Sequence, residues 1–264
     1  MPKFAANLSF LFTEVPFPER FRAAADAGFK GIEYLFPYVY EAAELKAWKD
    51  EAGLFQALIN MPAGDWEKKG ERGIACLPDR KGEFRDGVGR AIDYAKTLGC
   101  PKIHLVAGLA PAGGPERKPF EDTYRENVAW AADALAKHGL MAVLEPINGK
   151  RDVPGFFLQT VTQARAILKE VGRPNLKVQF DAYHAQIMEG DLTTLFRACV
   201  PDLGHIQIAN PPDRHEPDRG EINYPFFFEE VDKSGYDGWI GCEYKPRAGT
   251  RPGLGWGKQW GLKT

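Results

Sequence analysis

The sequence predicts an α/β fold of the (β/α)8 TIM-barrel class, on three observations. Short apolar runs alternate with longer amphipathic stretches along the whole chain, the pattern of repeated βα units around a parallel sheet. The number of apolar runs comes to eight. The length of 264 residues fits one such barrel, for which about 250 residues is typical, and no linker or shift in composition divides the chain. The reading is therefore one domain over residues 1–264.

The candidate strands, in order, are 4–7, 31–34, 54–60, 102–106, 141–145, 176–181, 205–208 and 239–244. Each is a short, mostly apolar run bounded by turn residues. The helical periodicities between them cover 18–27, 41–52, 84–98, 120–138, 161–171, 192–199 and 224–233. Gly28, Gly53, Gly99 and Gly139 precede strands by one to three residues, where a helix end calls for a residue that tolerates positive φ. An eighth helix is the weak element. The tail 251–264 is glycine-rich and poorly periodic, and is expected to be a short or irregular cap. Two long βα segments, 61–82 and 210–223, break the rhythm; in a barrel such loops lie at the catalytic face.

Composition excludes several classes. Hydrophobic residues make up 44% and charged residues 27%, and no apolar run is long enough to span a bilayer, so no membrane partner is expected. A formal charge of -2 without a Lys/Arg block argues against nucleic acid. Cys76, Cys100, Cys199 and Cys242 lack CxxC spacing and read as reduced thiols. With no signal pattern in MPKFAANLSF, the expectation is a cytoplasmic protein. No GxGxxG or P-loop supports a nucleotide cofactor. A homo-oligomer is compatible with the sequence, which shows no seam that fixes a subunit count.

The most informative pattern is that four successive strands end on an oxygen ligand: Glu145 in AVLEP, Asp181 in KVQFD, Gln207 in HIQIA and Glu243 in GCEY. Any one acid alone could be an ordinary salt bridge at the barrel end. Three buried carboxylates converging on one mouth repel one another, and a bound cation is the natural compensation. An all-oxygen set of three carboxylates and an amide suits Mg2+ or Mn2+ better than zinc. His184, three residues after Asp181, could orient a substrate oxygen. Arg214, on the loop after Gln207, has the forked donors that suit a carboxylate. Asn60 at the end of the third strand and His104 within the fourth are further substrate-binding candidates, although His104 also reads as a core histidine, as does His205. Phe4, Phe10, Phe12, Tyr34, Phe36 and Trp66 could wall a small pocket, although most also read as core or rim packing.

These residues sit in segments that resemble the hydroxypyruvate isomerases of the xylose isomerase-like barrel group. The resemblance runs through FAANLSFLF, GIEYLFPY, MPAGDW with ERGIACLP, EFRDGV, EPIN with DVPGFFL, DAYHAQIMEGDL, GHIQIA, GEINY and YDGWIGCEYKP, nearly the whole chain. It implies the same barrel, with Glu145, Asp181, Gln207 and Glu243 at the metal-binding positions and Glu145 and Glu243 as the acid/base pair. One departure is Ile59, where the resemblance implies a histidine before Asn60. FTEVPF, PDRHEPDRGEINYP and YKPRAGT with GLGW are more similar to the sibling 2-oxo-tetronate isomerases. The implied reaction interconverts hydroxypyruvate and tartronate semialdehyde through an enediolate, or does the same to a four-carbon 2-oxo acid. A keto-sugar 3-epimerase, a metal-dependent endonuclease and a non-catalytic sugar-acid binding protein are the competing readings.

Overall fold

A computed structural model describes residues 1–264. Eight parallel strands, β1 (Lys3–Asn7), β2 (Gly31–Tyr34), β3 (Phe55–Asn60), β4 (Lys102–His104), β5 (Met141–Leu144), β6 (Leu176–Asp181), β7 (Leu203–Ile208) and β8 (Trp239–Cys242), pair in sequence order and close into a barrel. Closure is direct: Ala5 of β1 faces Gly31 of β2 on one side and Gly241 of β8 on the other. The expected barrel is thus the observed one. The outer layer is α1 (Phe17–Asp26), α2 (Ala42–Glu51), α3 (Lys81–Leu98), α4 (Lys118–Ala136), α5 (Val161–Val171), α6 (Ala182–Met188), α7 (Leu192–Cys199), α8 (Tyr224–Lys233) and α9 (Thr250–Gly253).

Strand residues alternate between the helix layer and the barrel interior with a period of two. Ile103, Val178, Phe180, Ile206, Ile208 and Ile240 join the apolar core, whereas Glu33, Lys102, His104, Gln179, Asp181, His205 and Gln207 are buried polar groups. An interior lined so heavily by polar side chains departs from the branched apolar layers usual in these barrels. Gly241 makes room for it: a Cβ there would lie 2.2 Å from Glu33 Oε1.

The structure adds one helix to the sequence reading and gives the expected short, irregular form to the tail. α6 was not expected, because seven residues running straight out of β6 carry no helical periodicity of their own. It forms because Asp181 caps it, accepting the Tyr183 and His184 N–H groups at 2.7 and 3.2 Å. The weak eighth helix is a four-residue α9 followed by a 3-10 run, Leu254–Trp260. This tail seals the β1 side of the barrel through Trp256 and Trp260, edge-on to Phe4 at 4.9 and 5.3 Å. The long segment after β3 is docked rather than free, bridging Gly73 to Ala107 beyond β4, with Cys76 N–H donating to Ala107 O at 2.8 Å.

Candidate active site

All the candidate residues gather at the C-terminal end of the barrel. Asp181 is the last residue of β6, Gln207 lies opposite it in β7, and Glu145 and Glu243 follow β5 and β8 directly. Glu145, Glu243, His104, His184, Asn60 and Arg214 line one cavity of about 260 Å3. That is below the roughly 300–1,000 Å3 typical of sites for drug-sized ligands, and suits a molecule of a few carbons. Phe10 and Trp66 contribute to its wall, as expected; Phe36 packs behind Trp66 at 5.1 Å, and Phe4, Phe12 and Tyr34 belong to the core instead.

Glu145 accepts from Gln179 Nε2 at 2.9 Å and lies 3.3 Å from His104 Nδ1, which also meets Asn60 Oδ1 at 3.2 Å. Glu243 accepts from Asn7 Nδ2 at 2.8 Å, Gln207 Nε2 at 2.7 Å and Arg214 Nη2 at 2.5 Å. Gln207 ties the two sides together, since its Oε1 accepts from Gln179 at 2.6 Å. Burial pushes the carboxyl groups of Glu145, Asp181 and Glu243 above the ordinary range; the charges of Glu243 and Asp181 add to the effect at Glu145, and Arg214 opposes it. His104 and His184 are driven the other way by burial, His104 to about 3, so both rings are neutral near pH 7.

Ligand atoms of Glu145, Asp181 and His184 lie within 4.8 Å of one another, a triad that fits a divalent metal. The fit has a second support. Asp181 Oδ1 is used in capping α6, but Asp181 Oδ2 is fully buried with no hydrogen-bond partner, an arrangement that is costly unless a cation completes it. His184 stands closer to this centre than its sequence position suggested, because the cap turns α6 back over the barrel mouth. Its Nδ1 accepts from Asn148 Nδ2 at 2.7 Å, so Nε2 faces Glu145 and Asp181 at 3.7 and 3.9 Å.

Arg214 lines the cavity as expected but is not a solvated loop residue. It lies between Phe10 and Tyr183, with ring centroids 4.9 and 5.2 Å away, and its donors point at Glu243, Asp152 and Asp181. Sequence reasoning missed Asn7, Glu33, Gln179, Asn148 and Asp152. Glu33 is the hub of the interior, accepting from Asn7 at 3.0 Å and Gln207 at 2.7 Å and meeting His205 Nε2 at 2.7 Å. For Gln179 the available signal was alternation, since KVQFD places a polar residue at every second position; the other four lie outside any such run.

A family model described as the xylose isomerase-like TIM barrel matches residues 21–260. The chain belongs to that family. Among family relatives, the 2-oxo-tetronate isomerase of Cupriavidus necator is 54% identical over 98% of this chain and 99% of its own length. The hydroxypyruvate isomerase of Escherichia coli is 48% identical over 97% and 98%. A crystal structure from Brucella melitensis, titled AP endonuclease, family 2, superposes with a TM-score of 0.95 at 49% identity, covering 98% of this chain and 99% of that one. The resemblance seen in the sequence is therefore a true family relationship within the xylose isomerase-like barrels, and it places the chain among isomerases.

Proposed function

We propose that this chain is a metal-assisted aldose–ketose isomerase interconverting hydroxypyruvate and tartronate semialdehyde. The observation that carries the reading is the pair of buried glutamates, Glu145 and Glu243, on one small cavity whose other walls supply neutral histidines and free cations. The 54% identity to a 2-oxo-tetronate isomerase favours a second reading, the same reaction on a four-carbon acid.

The reaction moves a carbonyl between C2 and C3. One glutamate takes the proton from C3, the electron pair forms an enediolate, the C3 hydroxyl proton passes to O2 as the carbonyl forms at C3, and the other glutamate returns a proton to C2. Carboxyl groups raised by burial are stronger bases when ionised than ordinary ones, and are available as acids when protonated. Glu145, Asp181, Gln207 and Glu243 would hold Mg2+ or Mn2+, with His184 at the edge of the set. When bound, the cation polarises the substrate oxygens and offsets repulsion among the carboxylates. His184 Nε2 can serve this centre in one of two ways, deprotonated as a ligand or protonated as a donor to a substrate oxygen, and the Asn148 N–H given to Nδ1 favours the donor. His104 Nε2, buried without a partner, accepts a substrate hydroxyl, and Asn60 turns the His104 ring through Nδ1. Arg214, paired with Asp152 at 3.8 Å, holds the Glu243 carboxylate in place on the cavity wall.

The deciding experiment compares kcat/KM for hydroxypyruvate and 2-oxo-tetronate, with deuterium incorporation followed in D2O. An isomerase washes solvent deuterium into a C–H position. Turnover of neither acid, with no exchange, sinks the reading. The endonuclease name of the Brucella protein does not transfer, because a DNA-facing surface calls for clustered Lys and Arg, and this chain has a formal charge of -2 with no Lys/Arg block.

A further inference from the structure

Three cationic side chains line the cavity: Arg214, Arg72 and Lys245. Arg214 is spent on the protein's own acids, with Glu243 at 2.5 Å and Asp152 and Asp181 at 3.8 and 3.9 Å. Neither Arg72 nor Lys245 forms a salt bridge, which leaves two positive charges on the cavity lining without a carboxylate partner.

Arg72 is held in a way that leaves half of it free. Its Nη1 donates to Trp66 O at 3.1 Å and Glu71 O at 2.9 Å, and the guanidinium lies 4.2 Å over the Trp66 ring. Glu71, the adjacent carboxylate, is already engaged by Arg80 at 2.7 Å and the Asp65 N–H at 2.6 Å. Nε and Nη2 of Arg72 therefore have no protein acceptor, and that edge of the planar fork can take a carboxylate. The loop that carries Arg72 is pinned beside it, since the Gly73–Ala107 bridge fixes the next residue to the segment after β4.

Lys245 follows β8 by three residues. Its backbone is tied on both sides, N–H to Arg214 O at 2.7 Å and O to His215 Nδ1 at 2.7 Å, while Nζ has no partner. One cation is thus pre-oriented and the other is a mobile point charge tethered to a fixed backbone.

We propose that Arg72 and Lys245 form the carboxylate subsite, holding the C1 carboxylate of the substrate while Glu145 and Glu243 act on C2 and C3. This rests on the keto-acid reading above and adds to it the residues that make the site prefer an acid to a neutral keto sugar of equal length.

The test measures binding, so that it does not depend on turnover. Calorimetric titration uses D-glycerate, a three-carbon hydroxy acid without a carbonyl to isomerise, and dihydroxyacetone as its neutral counterpart. Wild type should bind glycerate more tightly. Arg72→Gln and Lys245→Gln should each weaken glycerate about 10-fold, as expected for a lost charge-assisted hydrogen bond, and the double variant should abolish the preference. Unchanged dihydroxyacetone affinity in the same variants reports an intact pocket. A double variant that binds glycerate as wild type does, or a wild type without the preference, overturns the subsite. Wild type that binds glycerate through these two residues yet isomerises neither acid upholds the subsite and removes the isomerase reading instead.

Discussion

Glu145 and Glu243 sit on opposite sides of Gln207, and each is buried with hydrogen bonds that fix its orientation. Glu145→Gln and Glu243→Gln should each keep the fold and lower kcat by at least about 100-fold, within the range for a general acid or base. Since both act on one enediolate, the double substitution should cost much less than the product of the single losses; steady-state kinetics on the four proteins decides this. Asp181 presents a different case, because one oxygen caps α6 and the other is buried without a partner. Asp181→Asn should weaken Mg2+ or Mn2+ binding, read by calorimetry, while both glutamates remain. Unchanged metal affinity would take Asp181 out of the ligand set. These acids were legible from sequence because a carboxylate at the end of an apolar strand is costly without a function to explain it. The role of Arg214 was less legible: its charge could be read, but the three carboxylates around it come from separate elements.

At the scale of elements, the loop between β3 and α3 is the piece whose placement matters most, since it carries both Trp66 and Arg72 to the cavity. Gly73 is what lets it dock. Its φ is +106°, and a Cβ would lie 2.5 Å from Val106 O and 2.7 Å from Gly108 N, backbone atoms that cannot step aside. Gly73→Ala should cost about 1–3 kcal/mol locally. The effect should appear as faster amide exchange in 61–77 and a raised KM, with kcat less affected because Glu145 and Glu243 belong to other strands. Equal exchange rates in the variant and wild type would show that the loop does not rely on this contact. Sequence reading marked this segment as long and therefore functional, but its docking depends on a backbone bridge to Ala107 that no local pattern encodes. α6 escaped notice for a related reason: its start is specified by the Asp181 cap rather than by apolar spacing.

Across the whole molecule, the barrel buries charge from end to end, and Lys102 is the clearest cost. It is 8% exposed and its Nζ meets only His205 Nδ1, at 3.4 Å. Burial lowers its pKa to about 8, against partial compensation from Cys100 and Glu33. A lysine whose folded pKa is depressed stabilises the fold fully above its unfolded value near 10.5, and that contribution is lost as pH falls through 8. Lys102→Met should therefore be more stable than wild type at pH 7. That advantage should shrink by up to about 3 kcal/mol by pH 10.5. Denaturant unfolding of both proteins across this range checks the sign, and a constant difference would show that Lys102 does not titrate with folding. By itself the sequence determined the eight-unit barrel, the order of its elements and the four oxygen-bearing strand ends, because each depends on local periodicity and on which residue types are tolerated beside apolar runs. Only the tertiary structure decided that Glu33, Asn7 and Gln179 join those ends into one interior network, that His184 faces Glu145 and Asp181, and that Arg72 and Lys245 are the cations left free. The physical reason is that hydrogen bonding and charge compensation are settled between residues far apart in the chain, and closing the barrel is what brings them within reach.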